Sequence, residues 1–83
     1  MFPRIFKIHV LPEFRLLVSF DDGRKVIYDV AEDIEQLEDF RILKTEKGLF
    51  ENFVLDESRT CISWSERVDL PSDTILEYGN AVA

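Results

Sequence analysis

Alternation of apolar and polar residues near the N-terminus constrains the fold of this chain more than any other feature of its sequence. The segments "RIFKIHVL", "FRLLVSF" and "RKVIYDV" all show the two-residue period of β-strands. Pro12 and Glu13 separate the first two segments, and "DDG" separates the second from the third. Because glycine adopts positive φ at little cost, "DDG" is a strong hairpin signal. Residues 4–30 are therefore predicted to form a three-stranded antiparallel meander.

Apolar side chains occur on both faces of this predicted sheet. The predicted inward positions are Phe6, Ile8, Val10, Phe14, Leu16, Val18, Phe20, Val26, Tyr28 and Val30. The opposite face carries Ile5, Leu11, Leu17 and Ile27. Since a water-facing sheet face normally has polar residues, we expect a helix of this chain or a partner to cover these side chains. The candidate interaction face comprises Ile5, Leu17 and Ile27.

Beyond Val30 the two-residue period ends. In "AEDIEQLEDF", Ile34 and Leu37 lie on one stripe among acidic residues, which predicts a short amphipathic helix. Acidic residues early in a helix also stabilise its positive end. The next segment, "RILKTEKGLFENF", is less regular, and we predict one helical turn near Glu46 to Phe50. Its predicted buried residues are Leu43, Leu49, Phe50 and Phe53.

A second hairpin and a terminal helical turn complete the predicted elements. "FVLDESRTCISW" predicts a strand from Phe53, a turn at "DESR" and a strand from Thr60 to Trp64. "DLPSDTILEYG" predicts a helical turn with Pro71 in its first turn and Gly79 at its end. The last residues, "NAVA", are predicted to fray.

The predicted fold is therefore α+β. It has an antiparallel sheet of about five strands, formed by the three-stranded meander plus the hairpin, and two or three short helices. The chain has 83 residues, which suffices for one domain, and we assign residues 1–83 to a single small α+β domain. A hydrophobic share of 46% with 33% charged residues is typical of a globular protein.

The charge of the chain argues against nucleic acid as a direct partner. The formal net charge is −7, from 17 acidic and 10 basic residues, so a phosphate backbone meets repulsion on average. The basic residues are scattered and form no stripe with interleaved aromatics. We predict that the chain alone does not bind nucleic acid.

The sequence also predicts a cytoplasmic protein with no membrane association. No apolar run approaches the roughly 18 residues of a membrane span. The N-terminal segment "MFPRIFKIHVLPE" lacks the long apolar stretch and cleavage site of a secretory signal. The single cysteine forms no internal disulfide, which fits a reducing compartment.

No motif for catalysis, cofactor or metal binding occurs, and we predict none of these sites. His9 and Cys61 both lie off the main core face by alternation, so a nucleophile–base pair is geometrically open. Because neither residue has a motif around it, we favour a strand histidine and a small structural thiol. Asp21 and Asp22 are interpreted as hairpin residues and not as calcium ligands.

Trp64 and the acids that follow it admit two interpretations. Trp64 could stack on a ligand, with Asp69 and Asp73 as paired carboxylates for acid–base chemistry. Alternatively, Trp64 ends an inward-facing strand pattern and belongs to the core, while Asp69 and Asp73 cap the terminal turn. We favour the second interpretation.

Three segments in order resemble the bacterial domain of unknown function 2442 family. They are "LLVSFDDGRKVIYDV", "LFENF" and "CISWSERVDLPSDTIL", and the resemblance covers residues 4–78. "SERVDL" after Trp64 departs from the family pattern, in which Asn-Gly is frequent.

The resemblance implies an α+β fold with an antiparallel sheet and brings no catalytic or binding residues. Some family members look like the N-terminal half of proteins with a helix-turn-helix domain. Others lie beside toxin–antitoxin-like partners.

Together, these observations predict a non-catalytic protein-interaction or regulatory module of a bacterial system of the toxin–antitoxin kind. Its partner would be a second copy of the chain or another protein bound to the same face, and we rank the homodimer above the monomer. The alternative is a small-molecule-binding or enzymatic domain with a pocket near Trp64.

Overall fold

The computed structural model describes residues 3–82, which form seven short strands and three short helices. The strands are β1 (Ile5–Leu11), β2 (Arg15–Phe20), β3 (Lys25–Asp29), β4 (Val54–Leu55), β5 (Cys61–Ser65), β6 (Val68–Pro71) and β7 (Asn80–Ala81). The helices are α1 (Val30–Gln36), α2 (Ile42–Thr45) and α3 (Ser72–Tyr78), and a 3₁₀ helix spans Glu38–Arg41.

These strands form two antiparallel sheets, and the predicted α+β class is confirmed. The first sheet has the order β1-β2-β3-β7 and contains the predicted meander. The second has the order β4-β5-β6 and contains the predicted second hairpin. β6 and β7 come in addition to the five predicted strands.

The sequence does not predict β6 and β7 because both strands are short and show little alternation of apolar and polar residues. In β6, only Val68 and Leu70 point inward and are buried, which is too few residues for a clear alternation. β7 consists of two exposed residues whose backbone pairs with Val26 and Ile27 of β3. The expectation that Asn80 and Ala81 fray is therefore wrong.

A β-bulge at the start of β1 reverses two of the predicted side-chain directions. Ile5 pairs with Phe20 and Lys7 pairs with Ser19, so Phe6 is one extra residue without an opposite partner. As a consequence, Ile5 is fully buried in the core, whereas Phe6 is 67% exposed. The prediction that Phe6 points inward and Ile5 outward is wrong, because alternation assumes a strand without bulges.

The buried apolar side chains of residues 3–82 form one core cluster on the inner face of the first sheet. This cluster consists of Ile5, Leu16, Val18, Phe20, Val26, Tyr28, Val30, Ile34, Phe40, Leu43, Phe50, Ile62, Trp64, Val68, Leu70 and Ile75. Every helix and the second sheet contribute to it. Leu49 and Phe53 pack partly buried against it, so their predicted role is confirmed.

The first predicted helix is confirmed but ends earlier than its apolar stripe. Asp29 caps α1, since its carboxylate accepts a hydrogen bond of 3.0 Å from the Ala31 N–H. Ile34 is buried. Leu37 adopts an extended conformation after the last helical residue and is 48% exposed, so its predicted packing is wrong.

The second helical turn lies at α2, upstream of the predicted position near Glu46 to Phe50. Gly48 has a φ of 83°, in the left-handed region that a right-handed helix does not use. Hydrogen-bonded turns from Glu46 to Asn52 replace the helix.

The C-terminal helix α3 is confirmed and ends before Gly79, as predicted. Pro71 is the last residue of β6 and precedes the first helical turn. At Gly79 the backbone passes so close to β3 that a Cβ atom would collide with the side chain of Val26 and lie 2.5 Å from the Ile75 carbonyl oxygen. Glycine is therefore required at this crossing.

Candidate interaction face

The outer face of the first sheet, directed away from the core, is built from three cross-strand rows. Directly opposite residues on antiparallel strands share one face. The rows are Lys7–Ser19–Lys25, His9–Leu17–Ile27–Asn80 and Leu11–Arg15–Asp29. We use the name outer face for these ten residues together with Phe6.

Leu17 and Ile27 form the apolar centre of the outer face. They are directly opposite each other on β2 and β3, and both are half-buried. Neither belongs to the core cluster or packs against it. The buried residues of α1 and α3, by contrast, all lie in or beside that cluster on the inner side. We therefore attribute the partial burial of Leu17 and Ile27 to the neighbouring strands of the same sheet.

The structure consequently brings together two of the three predicted interaction residues. Ile5 is excluded, because the bulge turns its side chain into the core. Phe6 takes its place beside Leu17, where both line an open depression of about 490 Å³ with Lys7 and Ser19. The only sequence signal for this exchange is the pair of consecutive apolar residues "IF", which a strict alternation does not allow.

The outer face is basic although the chain as a whole is acidic. It carries Lys7, Arg15 and Lys25 but only one acid, Asp29, whose carboxylate already caps α1. Within residues 3–82, the salt bridges are Arg24–Asp22 and Arg59–Asp21. The three cations of the outer face therefore have no acidic partner in the described part of the chain.

Strand β1 forms one edge of this sheet and leaves most of its free side unpaired. Among the described residues it pairs with β2 alone. Its one further backbone hydrogen bond runs from the Ile5 N–H to the Arg59 carbonyl, 2.7 Å long. Beyond Ile5, the backbone groups of residues 6–11 that point away from β2 have no backbone partner within residues 3–82.

Trp64 belongs to the core, as predicted, and other aromatic side chains pack against it. It is 8% exposed, and its indole N–H donates a hydrogen bond of 2.9 Å to the Phe50 carbonyl. The Phe50 ring stacks on it at 6.0 Å between centroids, and Phe40 contacts it edge-on. The Phe50 ring thus occupies one face of the indole, where a ligand would otherwise stack.

Neither Asp69 nor Asp73, the carboxylates of the alternative interpretation, lines the depression beside Trp64. Glu46 is the one acid that lines it. Asp69 lies opposite Ser63 in β6, and the Asp73 carboxylate accepts a hydrogen bond from the Thr74 N–H in α3. No side chain caps α3, so the expectation that Asp69 and Asp73 cap this helix is wrong, although Asp73 does lie in its first turn.

The structure places His9 and Cys61 in different sheets. His9 lies on β1 of the first sheet, whereas Cys61 lies on β5 of the second. The Cys61 thiol donates to the Ile62 carbonyl at 3.7 Å. Burial, together with the nearby charge of Asp69, raises the pKa of this thiol, which lowers the thiolate population that a nucleophile needs. Among residues 3–82, no three acidic, His or Cys side chains converge to hold a metal ion.

The two acids of the β2–β3 turn have the structural role that the sequence predicts. Gly23 has a φ of 92°. The Asp22 carboxylate accepts hydrogen bonds from the backbone N–H and from Nε of Arg24. The backbone hydrogen bond is the main cause of the lowered pKa of Asp22. Asp21 binds Arg59 instead.

Comparison with known proteins identifies a family but no characterised relative. A family model described as protein of unknown function (DUF2442) matches residues 5–81. No curated protein matches the chain, and no solved structure does. Within the described residues, none of the helices is long and apolar enough to cross a membrane.

Proposed function

The chain belongs to the family of proteins of unknown function DUF2442. We propose that it is a non-catalytic protein-interaction module that binds its partner through the outer face. The observation that carries this proposal is the half-buried row of Leu17 and Ile27, which belongs neither to the core cluster nor to the side chains packed against it. Beside this row, Phe6 exposes 67% of its surface. Apolar side chains surrounded by charged ones are typical of protein-binding surfaces.

A different protein fits this face better than a second copy does. In a symmetric dimer through the outer face, the Lys7, Arg15 and Lys25 side chains of both copies would come together. Like charges across an interface are unfavourable, and the one acid of this face, Asp29, already caps α1. The homodimer therefore becomes the less favourable of the two expectations.

The regulatory part of the proposal is a cytoplasmic role in a bacterial system of the toxin–antitoxin kind. It is supported by the associations that the resemblance implies and by the acidic charge of the chain. The burial of Trp64 and the dispersed acids around it speak against the alternative of a small-molecule or enzymatic pocket.

The experiment compares Leu17→Lys with Val54→Lys, the same kind of change at an exposed aliphatic residue of the second sheet. Val54 is 62% exposed and lies outside the outer face. Light scattering measures self-association, and affinity capture from the source cells identifies bound proteins. We expect Leu17→Lys to abolish capture of the partner and Val54→Lys to retain it. Capture that Leu17→Lys leaves unchanged refutes the role of the outer face.

A further inference from the structure

The free side of β1 offers a strand-shaped binding site next to the outer face. Residues 6–11 leave alternate N–H and C=O groups without a partner among the described residues over about 20 Å, at roughly 3.3 Å per residue. Edge strands of this kind are templates onto which another extended segment adds as a new strand. At the N-terminal end the site is closed, because the Ile5 N–H is already bound to Arg59.

The two sides of β1 have different chemistry, and an added strand would meet both. Lys7 and His9 point to the outer face, whereas Ile8 and Val10 point to the inner side. Val10 remains 37% exposed, since β1 is the edge strand of the sheet in the described part of the chain. Since side chains alternate between the faces of a sheet, successive residues of an added strand would contact the polar side chains of Lys7 and His9 and aliphatic groups in turn.

Charge decides what kind of segment fits this edge. A second copy of β1, "IFKIHVL", contains no acid. Pairing two copies would bring Lys7 and His9 of one copy next to Lys7 and His9 of the other. An acidic side chain, by contrast, meets Lys7 directly and lies on the same face as Lys25, neither of which has a salt-bridge partner among residues 3–82. Complementarity therefore favours an acidic segment over self-pairing.

We propose that β1 binds an extended segment of another protein as an added strand, in which acidic side chains facing Lys7 and His9 alternate with aliphatic ones facing Ile8 and Val10. The inference rests on the proposed function and names the chemistry of the partner. The exposed ring of Phe6 gives the added strand an aromatic contact on the outer side near one end of the site.

The test titrates the full chain, labelled with nitrogen-15, with a synthetic peptide of alternating glutamate and valine, about eight residues long to match the free edge. In the NMR spectrum we expect the amide signals of residues 6–11 to shift and their hydrogen exchange to slow. Lys7→Glu should weaken binding about tenfold, which corresponds to about 1.4 kcal/mol. A peptide with lysine in place of glutamate should bind Lys7→Glu better than it binds the unmodified chain.

The matched control is Lys44→Glu, which changes the net charge equally at an exposed position on α2. We expect it to leave the affinity within about twofold, since exposed charges beyond about 10 Å are screened. Circular dichroism verifies that both variants fold. Equal weakening by Lys7→Glu and Lys44→Glu would show attraction by net charge alone and would overturn the strand site.

Other outcomes separate the alternative occupants. A peptide with methylated backbone nitrogens on its pairing side should lose binding; if it binds equally well, strand addition is wrong. Three further outcomes would contradict the proposal. They are absence of peptide binding, tighter binding of a single-stranded oligonucleotide, and a dimer that involves the amides of β1. The proposed function is tested separately by the affinity-capture experiment. It fails if the Leu17→Lys variant captures the partner as well as the unmodified chain does.

Discussion

The guanidinium group of Arg59 forms a forked salt bridge with the carboxylate of Asp21, with N–O distances of 2.9 and 2.8 Å. Arg59 lies in the β4–β5 connection and Asp21 in the β2–β3 turn, so this pair links the two sheets. The Arg59 carbonyl also accepts a hydrogen bond from the Ile5 N–H at the same junction. Its φ of 60° is unusual for a residue other than glycine.

We predict a coupling energy of about 0.5–1 kcal/mol between Asp21 and Arg59 in a double-mutant cycle with Asp21→Asn and Arg59→Gln. The forked geometry favours a measurable value, but both side chains are more than a third exposed, and solvent reduces the interaction. Urea unfolding of the four proteins gives the coupling. The pair Asp22–Arg24, which is more exposed, serves as the comparison and should couple more weakly. Independent effects at Asp21 and Arg59 would contradict the link.

Trp64→Ala should lower the free energy of unfolding by about 3–5 kcal/mol, because it empties a large volume of the core. For a chain of this size that is much of the total stability. Trp64→Phe keeps an aromatic ring but loses the hydrogen bond to Phe50, so we expect a smaller loss of about 1–3 kcal/mol. Circular dichroism in urea measures both. A near-normal midpoint for Trp64→Ala would contradict the core assignment.

Ser72→Ala should leave the free energy of unfolding unchanged or raise it by up to about 1 kcal/mol. The Ser72 hydroxyl is fully buried at the start of α3 and has no hydrogen-bond partner among the described residues. Removing an unsatisfied buried hydroxyl removes its desolvation cost. Ser58→Ala is the control, because the Ser58 hydroxyl donates to Asp56 at 2.6 Å and its loss should destabilise slightly. A Ser72→Ala protein less stable than Ser58→Ala would refute the interpretation.

Tyr28 should make the stability of the protein decrease at alkaline pH. Burial, the hydrogen bond from its hydroxyl to Asp33 (2.7 Å) and nearby acids raise the pKa of Tyr28 above its usual value. Between that usual value, about 10, and the raised one, the unfolded chain ionises at Tyr28 while the folded protein does not. The stabilising contribution is thus complete below about pH 10 and is lost as pH rises.

The comparison of Tyr28→Phe with the unmodified chain isolates this effect. Urea unfolding between about pH 8 and 11 should show a shallower loss of stability for Tyr28→Phe. Tyr78→Phe, at a residue that is 71% exposed, controls for the removal of a tyrosine hydroxyl. Parallel curves for Tyr28→Phe and the unmodified chain would show that Tyr28 does not contribute.

Long segments with a clear period could be predicted from the sequence. The meander and second hairpin follow from alternation and from turn residues such as Gly23, and the burial of Ile34 and Trp64 follows from their place in those patterns. Elements held by backbone hydrogen bonds alone, such as β7, leave no side-chain pattern from which they could be predicted.

The candidate interaction face could be predicted only in part, because one extra residue changes the direction of a strand's side chains. Leu17 and Ile27 follow the alternation of β2 and β3, which correctly predicts that they lie on the sheet face directed away from the core. The exchange of Ile5 and Phe6 depends on the register with Phe20 and Ser19, which is a property of the pair of strands and not of β1 alone.

The order of the first sheet also has a practical consequence for attaching other proteins to this chain. β1 and β7 are its opposite edges, about 14 Å apart at roughly 4.8 Å per strand. A fluorescent protein or affinity tag fused after β7 therefore emerges on the side remote from β1. A tag attached after β7 is accordingly suitable for immobilisation, imaging and display of this domain, because it leaves the free side of β1 open to an added strand.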